Sequence, residues 1–179
     1  AWNSRHQSRA VAGYSEEVAE MDTEQYEAMF AAAREYNKGL PELAFPFVEE
    51  AATDGYEELL GVGADGIMGY ISIPSIDVEL PVYHGNSESV LSVGAGHLTG
   101  SSLPTGGEGT HCVISAHRGL PSSKLFTDLD QVKEGDRFTV SVLDQKLTYE
   151  VDQILIVEPH EIDALQIDPA MDLCTLMTC

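Results

Sequence analysis

Ile67-Met68-Gly69-Tyr70-Ile71-Ser72-Ile73-Pro74 marks the point where the chain changes character. Upstream of it, apolar residues recur at helical spacing. From Ile67 onward they fall into short runs bounded by Gly, Pro and Asp. Strands are expected over Gly69–Ile73, Val78–Val82, Thr110–Ser115, Arg137–Val142, Lys146–Val157 and Cys174–Thr178. Pro74, Pro81, Gly106-Gly107 and Gly135-Asp136 separate them, and Asp144-Gln145 reads as a hairpin turn. A helical segment is expected near Ser87–Val93 and a turn of helix near Ser123–Asp128. Several short strands with Gly- and Pro-bearing connections make a barrel or a sandwich.

Working back from Ile67, the sequence Gly61-Val62-Gly63-Ala64-Asp65-Gly66 spells Gly-x-Gly-x-x-Gly. A dinucleotide site needs that motif after a strand and at the opening of a helix, whereas here it precedes a strand. It reads as a flexible lead into the β region. Earlier still, Asp22 and Gln25 have the spacing of a capping box. Tyr26, Met29, Phe30, Ala33 and Tyr36 then form one apolar helical stripe, with Lys38 in the last turn, Gly39 as the C-cap and Pro41 preventing continuation. A preceding helix is expected over about Ser8–Glu20. Residues 40–66 connect helix to strand and carry Leu43, Phe45, Phe47 and Val48 among Pro41 and Pro46. So apolar a connection either packs on its own domain or rests as a lid in a groove. The chain therefore divides into a helical region with a long loop, residues 1–66, and a mostly β domain, residues 67–179.

The 179 residues carry a formal net charge of −21 and are 43% hydrophobic, enough apolar material for a core. The charge is evenly spread, with no like-charge block of five residues, and reads as a strongly solvated surface or as an attraction for cationic partners such as an exposed lysine. A surface this acidic excludes a general nucleic-acid binder. No run of about 18 apolar residues is present, so no membrane span is expected within this sequence. Ala1 reads as an internal start, the mark of a processed or trimmed form. Three cysteines cannot all pair, so at least one thiol is free.

His6, His84 and His160 have no suggestive neighbours. In Thr110–Ser115 the strand alternation sends His111 and Cys112 to opposite faces, which argues against a zinc site, and no metal is expected. His117 stands where that strand gives way to Gly119-Leu120-Pro121, a good place for a catalytic group. In Leu173-Cys174-Thr175-Leu176-Met177-Thr178-Cys179, Cys174 and Cys179 face different ways. Cys112 and Cys174 read as buried, inert thiols, and Cys179 as a strand-end thiol able to pair with His117.

Thr175-Leu176-Met177-Thr178-Cys179 resembles the sortase signature Thr-Leu-x-Thr-Cys, and Ser115-Ala116-His117-Arg118-Gly119 resembles that family's histidine segment. The likeness extends through Gly69–Pro74, Leu80–Gly85, Gly96–Pro104 and Lys124–Leu129, and so covers residues 67–179. The helical start and the Pro-aromatic loop are similar to the pilus-polymerising class, class C. The resemblance implies an eight-stranded β-barrel and a cysteine transpeptidase on the extracellular face of a Gram-positive membrane, anchored by segments outside this sequence. It implies Cys179 as nucleophile and His117 as acid and base. A pilin with a Leu-Pro-x-Thr-Gly-like motif would be the donor, another pilin's lysine the acceptor, and no cofactor is needed. Phe45, Pro46 and Phe47 would form the lid, with the aromatic ring over Cys179.

Two departures stand out. Family lids carry Asp-Pro-aromatic, whereas this loop has Phe45-Pro46-Phe47 and lacks the anionic anchor. The family's catalytic arginine lies on a strand after the cysteine, and Arg118, beside His117, does not fill that role. Either the native polypeptide runs on past Cys179 and supplies the last strand and the arginine, or it ends there and transpeptidation is weak or absent. Other readings are a module that only binds sorting motifs and a sortase that anchors proteins to the cell wall.

Overall fold

The computed structural model describes residues 2–44, 46–119 and 123–179, with side chains from residue 4 onward. The strands are β1 (Gly69–Ile73), β2 (Val78–His84), β3 (Ala95–His97), β4 (Thr110–Ser115), β5 (Arg137–Val142), β6 (Gln145–Glu150) and β7 (Asp172–Met177). They form one seven-stranded sheet in the order β6-β5-β1-β2-β3-β4-β7. Pairing is antiparallel except between β2 and β3 and between β4 and β7. The sheet coils until its end strands meet, where the Tyr149 hydroxyl on β6 donates to an Asp172 carboxylate oxygen on β7 at 3.0 Å. The result is a nearly closed barrel with helices at its N-terminal side.

Alternation fills the barrel. Ile71 and Ile73 of β1, Leu80 and Val82 of β2, Ile114 of β4, and Val140 and Val142 of β5 are buried in one core with Phe126. The three-residue β3 escapes a propensity reading because Gly96 is its centre. A Cβ there would lie 2.1 Å from the Gly85 carbonyl oxygen, so close backbone approach demands glycine. Pro81, expected to separate strands, lies inside β2. Its neighbour Val82 turns its carbonyl toward Met68 N, so the position lacking an N–H points the other way, where β3 joins only from Val82 onward. The strand expected over Lys146–Val157 ends at Glu150. Gly135 N and Val151 N close the hairpin on Val151 and Asp136 carbonyls, and the chain then leaves the sheet with Ile154 to Val157 exposed. An apolar run becomes a strand only where a neighbour completes its ladder.

Helices α1 (Trp2–Ala19) and α2 (Thr23–Gly39) precede the barrel, and a single turn, α3 (Glu88–Leu91), follows β2. The first is longer than the expected Ser8–Glu20 and lies across β1 and β2. Val11, Tyr14 and Val18 are its buried face. The Tyr14 hydroxyl accepts from Leu143 N at 2.7 Å and donates to the Met68 carbonyl at 3.3 Å, so α1 is tied to the barrel wall. The second helix starts with the expected capping box: Asp22 accepts from Gln25 N at 2.8 Å and the Gln25 side chain accepts from Asp22 N at 2.9 Å. Phe30 and Ala33 of its stripe are buried. Gly39, expected as the C-cap, is itself helical at φ −77°, and the chain runs on into a 3₁₀ turn over Leu40–Glu42. Burial of Leu40 explains the continuation: packing holds the backbone helical past the glycine. Val62 and Ile67 pair across Gly63 and Gly66, both at positive φ, so the Gly-x-Gly-x-x-Gly stretch is a tight reversal leading into β1.

Candidate active site

The site is set by the parallel pairing of β4 and β7. Thr110 pairs with Asp172 and the register continues without slippage to Ser115 and Met177. Past the strand ends it is kept by Ala116 N donating to the Met177 carbonyl at 3.2 Å and by the Thr178 hydroxyl donating to the Ala116 carbonyl at 2.9 Å. His117 and Cys179 are the next residues in that register. Each stands two positions beyond the last paired residue, at the same end of the barrel. The step between neighbouring strands is about 4.8 Å. Their sequence separation gives no hint of this shared placement, which follows only from the ladder.

His117 is half-buried, and its Nε2 lies 2.9 Å from a carboxylate oxygen of Glu88, on α3. Its carbonyl accepts from Phe126 N at 3.0 Å, and Phe126 is fully buried, so the backbone at the histidine is anchored in the core. Cys179 is exposed. Arg118 turns outward to Asp130 at 3.3 Å. Leu120 and Pro121 of the loop after His117 lie outside the described residues.

Of the expected lid, Phe45 also lies outside the described residues. Pro46 and Phe47 are half-buried, and Val48 is 83% exposed. Their backbone presses on Gly100, where a Cβ would sit 2.2 Å from the Pro46 carbonyl oxygen and where φ is +93°. The loop thus leans on the segment between β3 and β4, which Leu98 N and Ser101 Oγ bond to Val113 of β4.

His97, His111 and His84 are held structurally. His97 is fully buried: its Nε2–H donates to the Ser102 carbonyl at 2.8 Å, which leaves Nδ1 to accept from the Tyr56 hydroxyl at 2.6 Å. His111 donates from Nδ1 to the Gln166 carbonyl at 2.8 Å and accepts at Nε2 from the Thr175 hydroxyl at 2.6 Å. Both of its nitrogens are therefore occupied. His84 donates to the Leu59 carbonyl at 2.6 Å, and burial lowers its pKa below the ordinary imidazole value.

Cys112 and Cys174 are register partners on the inner face of β4 and β7. The sequence suggests inert thiols in apolar surroundings, whereas the structure sets them against each other with His97 beside Cys112. The contact with Cys174 pulls the Cys112 thiol below its ordinary range, and the same contact holds Cys174 well above its own. Sequence reasoning also misses Glu88 and Tyr56. For the cysteines a signal was available, since each stands five residues before His117 or Cys179. For Glu88 no spacing announces the contact.

Residues 71–179 match the model of the Sortase domain. The structure is similar to that of sortase C1 from Streptococcus agalactiae, with 47% identity, a TM-score of 0.89, and coverage of 96% of this chain and 89% of that one. It is also similar to Streptococcus pneumoniae sortase C, a structure described with reference to pilin substrate specificity, with 43% identity, a TM-score of 0.81, and coverage of 96% and 87%. By sequence, the sortase A of Streptococcus agalactiae is 29% identical over 116 residues, which are 63% of this chain and 47% of that relative. The chain thus spans about half the length of that sequence relative.

Proposed function

The chain belongs to the sortase family, and from that premise we propose that it is a pilin-joining transpeptidase with Cys179 and His117 as its catalytic pair. The continuing β4·β7 register is the observation that carries this reading. In the first half-reaction the Cys179 thiolate attacks the Thr carbonyl of a Leu-Pro-x-Thr-Gly-like motif. The tetrahedral intermediate collapses as His117 protonates the departing Gly amine, leaving a thioacyl enzyme. In the second, a pilin lysine amine attacks the thioester and gives its proton to His117. The isopeptide bond forms and the thiolate returns. The pilin-directed relative from Streptococcus pneumoniae supports the substrate class.

In this reading residues 67–179 are the catalytic barrel, and residues 1–66 supply the helices and a lid built from Phe45, Pro46 and Phe47. The enzyme works on the outer face of a Gram-positive membrane. No described helix is long and apolar enough to cross a membrane. The test is ligation. The chain is incubated with a sorting-motif peptide and a lysine-bearing pilin domain, and an isopeptide-linked product is sought by mass. Cys179→Ala and His117→Ala should both abolish it. Preferential transfer to a cell-wall peptide amine would favour the anchoring class, and tight peptide binding without cleavage would favour a binding module.

A further inference from the structure

We propose that Cys112 and Cys174 are a reversible intramolecular disulfide site that clamps the two strands bearing His117 and Cys179. The register makes them direct partners on adjacent parallel strands, facing the same side. Neighbouring strands lie about 4.8 Å apart, inside the Cα separation of roughly 4.4–6.8 Å that a disulfide spans. The bond therefore asks for side-chain rotation and no backbone movement.

Access is uneven in a way that suits the chemistry. Cys112 is buried, while Cys174 is half-buried and lines a cleft of about 280 Å³ at the seam of β6 and β7, beside Tyr149, Met171 and Asp172. A small peroxide entering that cleft meets Cys174 first. As Cys174 reacts, Cys112 takes its thiol proton and passes it to the departing peroxide oxygen. Cys174 attacks a peroxide oxygen, the O–O bond breaks, and a sulfenic acid and one water result. The Cys112 thiolate then attacks the Cys174 sulfur and displaces the second oxygen as hydroxide, which takes a proton from solvent to become water. Two thiols are oxidised, one peroxide is reduced to two waters, and an external thiol reverses the change. The bond would lie five residues below His117 and Cys179, about 16 Å along the strands, and would fix the register between them. Its formation does not depend on the transpeptidase reading; only its bearing on the catalytic pair does.

The test uses the chain carrying Cys179→Ala, so that two thiols remain. It is treated with hydrogen peroxide, unfolded, alkylated and weighed. The expected results are a mass loss of about 2 Da, no alkylation, and a peptide linking the segments around residues 112 and 174. Reductant should restore two alkylated sites. The oxidised chain should also unfold at higher urea than the reduced one, a difference that Cys112→Ser removes. Two alkylated thiols after oxidation, oxygen adducts on either cysteine without the linked peptide, or a covalent dimer would each overturn the proposal. If the serine variant does not fold, the peptide map of the unsubstituted pair still decides the matter.

Discussion

Replacing Asn37 with Ala should loosen the joint between α2 and the barrel. The side chain is only 6% exposed and acts as a surrogate strand for Leu103, which is fully buried. Its Oδ1 accepts from Leu103 N at 2.7 Å, and its Nδ2 donates to the Leu103 carbonyl at 3.1 Å and to Thr105 Oγ1 at 3.1 Å. Asn37→Ala removes all three bonds and strands the Leu103 N–H away from water, while the Leu103 carbonyl keeps the bond from Thr105 N at 2.7 Å. One unsatisfied buried donor costs about 1–3 kcal/mol, so the substitution should destabilise the fold by about that much. With a urea slope of about 2 kcal/mol per molar, the unfolding midpoint should fall by roughly 0.5–1.5 M at unchanged slope. Asn37→Asp keeps the acceptor for Leu103 N but turns a carboxylate toward the Leu103 carbonyl, so it should lose stability as well. Urea titrations followed by far-ultraviolet circular dichroism would measure both. A loss below about 0.5 kcal/mol for Asn37→Ala would mean that water or a backbone shift satisfies Leu103, and the reasoning would fail.

Two further outcomes are expected. Because burial lowers the His84 pKa, the folded state favours the neutral ring, while the unfolded chain takes up a proton near pH ~6.5. Stability should therefore be full above that pH and fall as the pH drops through it toward the lower folded value. His84→Gln should flatten this acid limb in urea midpoints measured on both sides of it, and an unchanged limb would remove His84 from the account. If Phe47 belongs to a lid, Phe47→Ala should speed labelling of Cys179 by a small thiol reagent. An unchanged labelling rate would argue that the loop only packs on Gly100.

Much of the fold could be read from local rules. The Asp22–Gln25 capping box, the stripe through Phe30 and Ala33, and the strand over Thr110–Ser115 are local patterns, and the structure keeps them. What was hidden depends on partners distant in sequence. Ala95–His97 is a strand because Gly96 lets Gly85 approach, and Ile154 to Val157 are not one because no ladder receives them. Gly39 does not end its helix because Leu40 has a core to enter. The same holds at the site. His117 and Cys179 were legible as chemical types at strand ends, but the contact of Glu88 with His117 and the meeting of Cys112 with Cys174 are products of tertiary register.

The central claim is that Cys179 is an acylating nucleophile served by His117. The most direct measurement is the intact mass of the chain after incubation with a sorting-motif peptide. The account predicts a thioester adduct of the peptide's acyl half that maps to Cys179, is released by hydroxylamine, and is lost in Cys179→Ala and His117→Ala. An adduct that persists in Cys179→Ala, or that forms at full rate in His117→Ala, would contradict it.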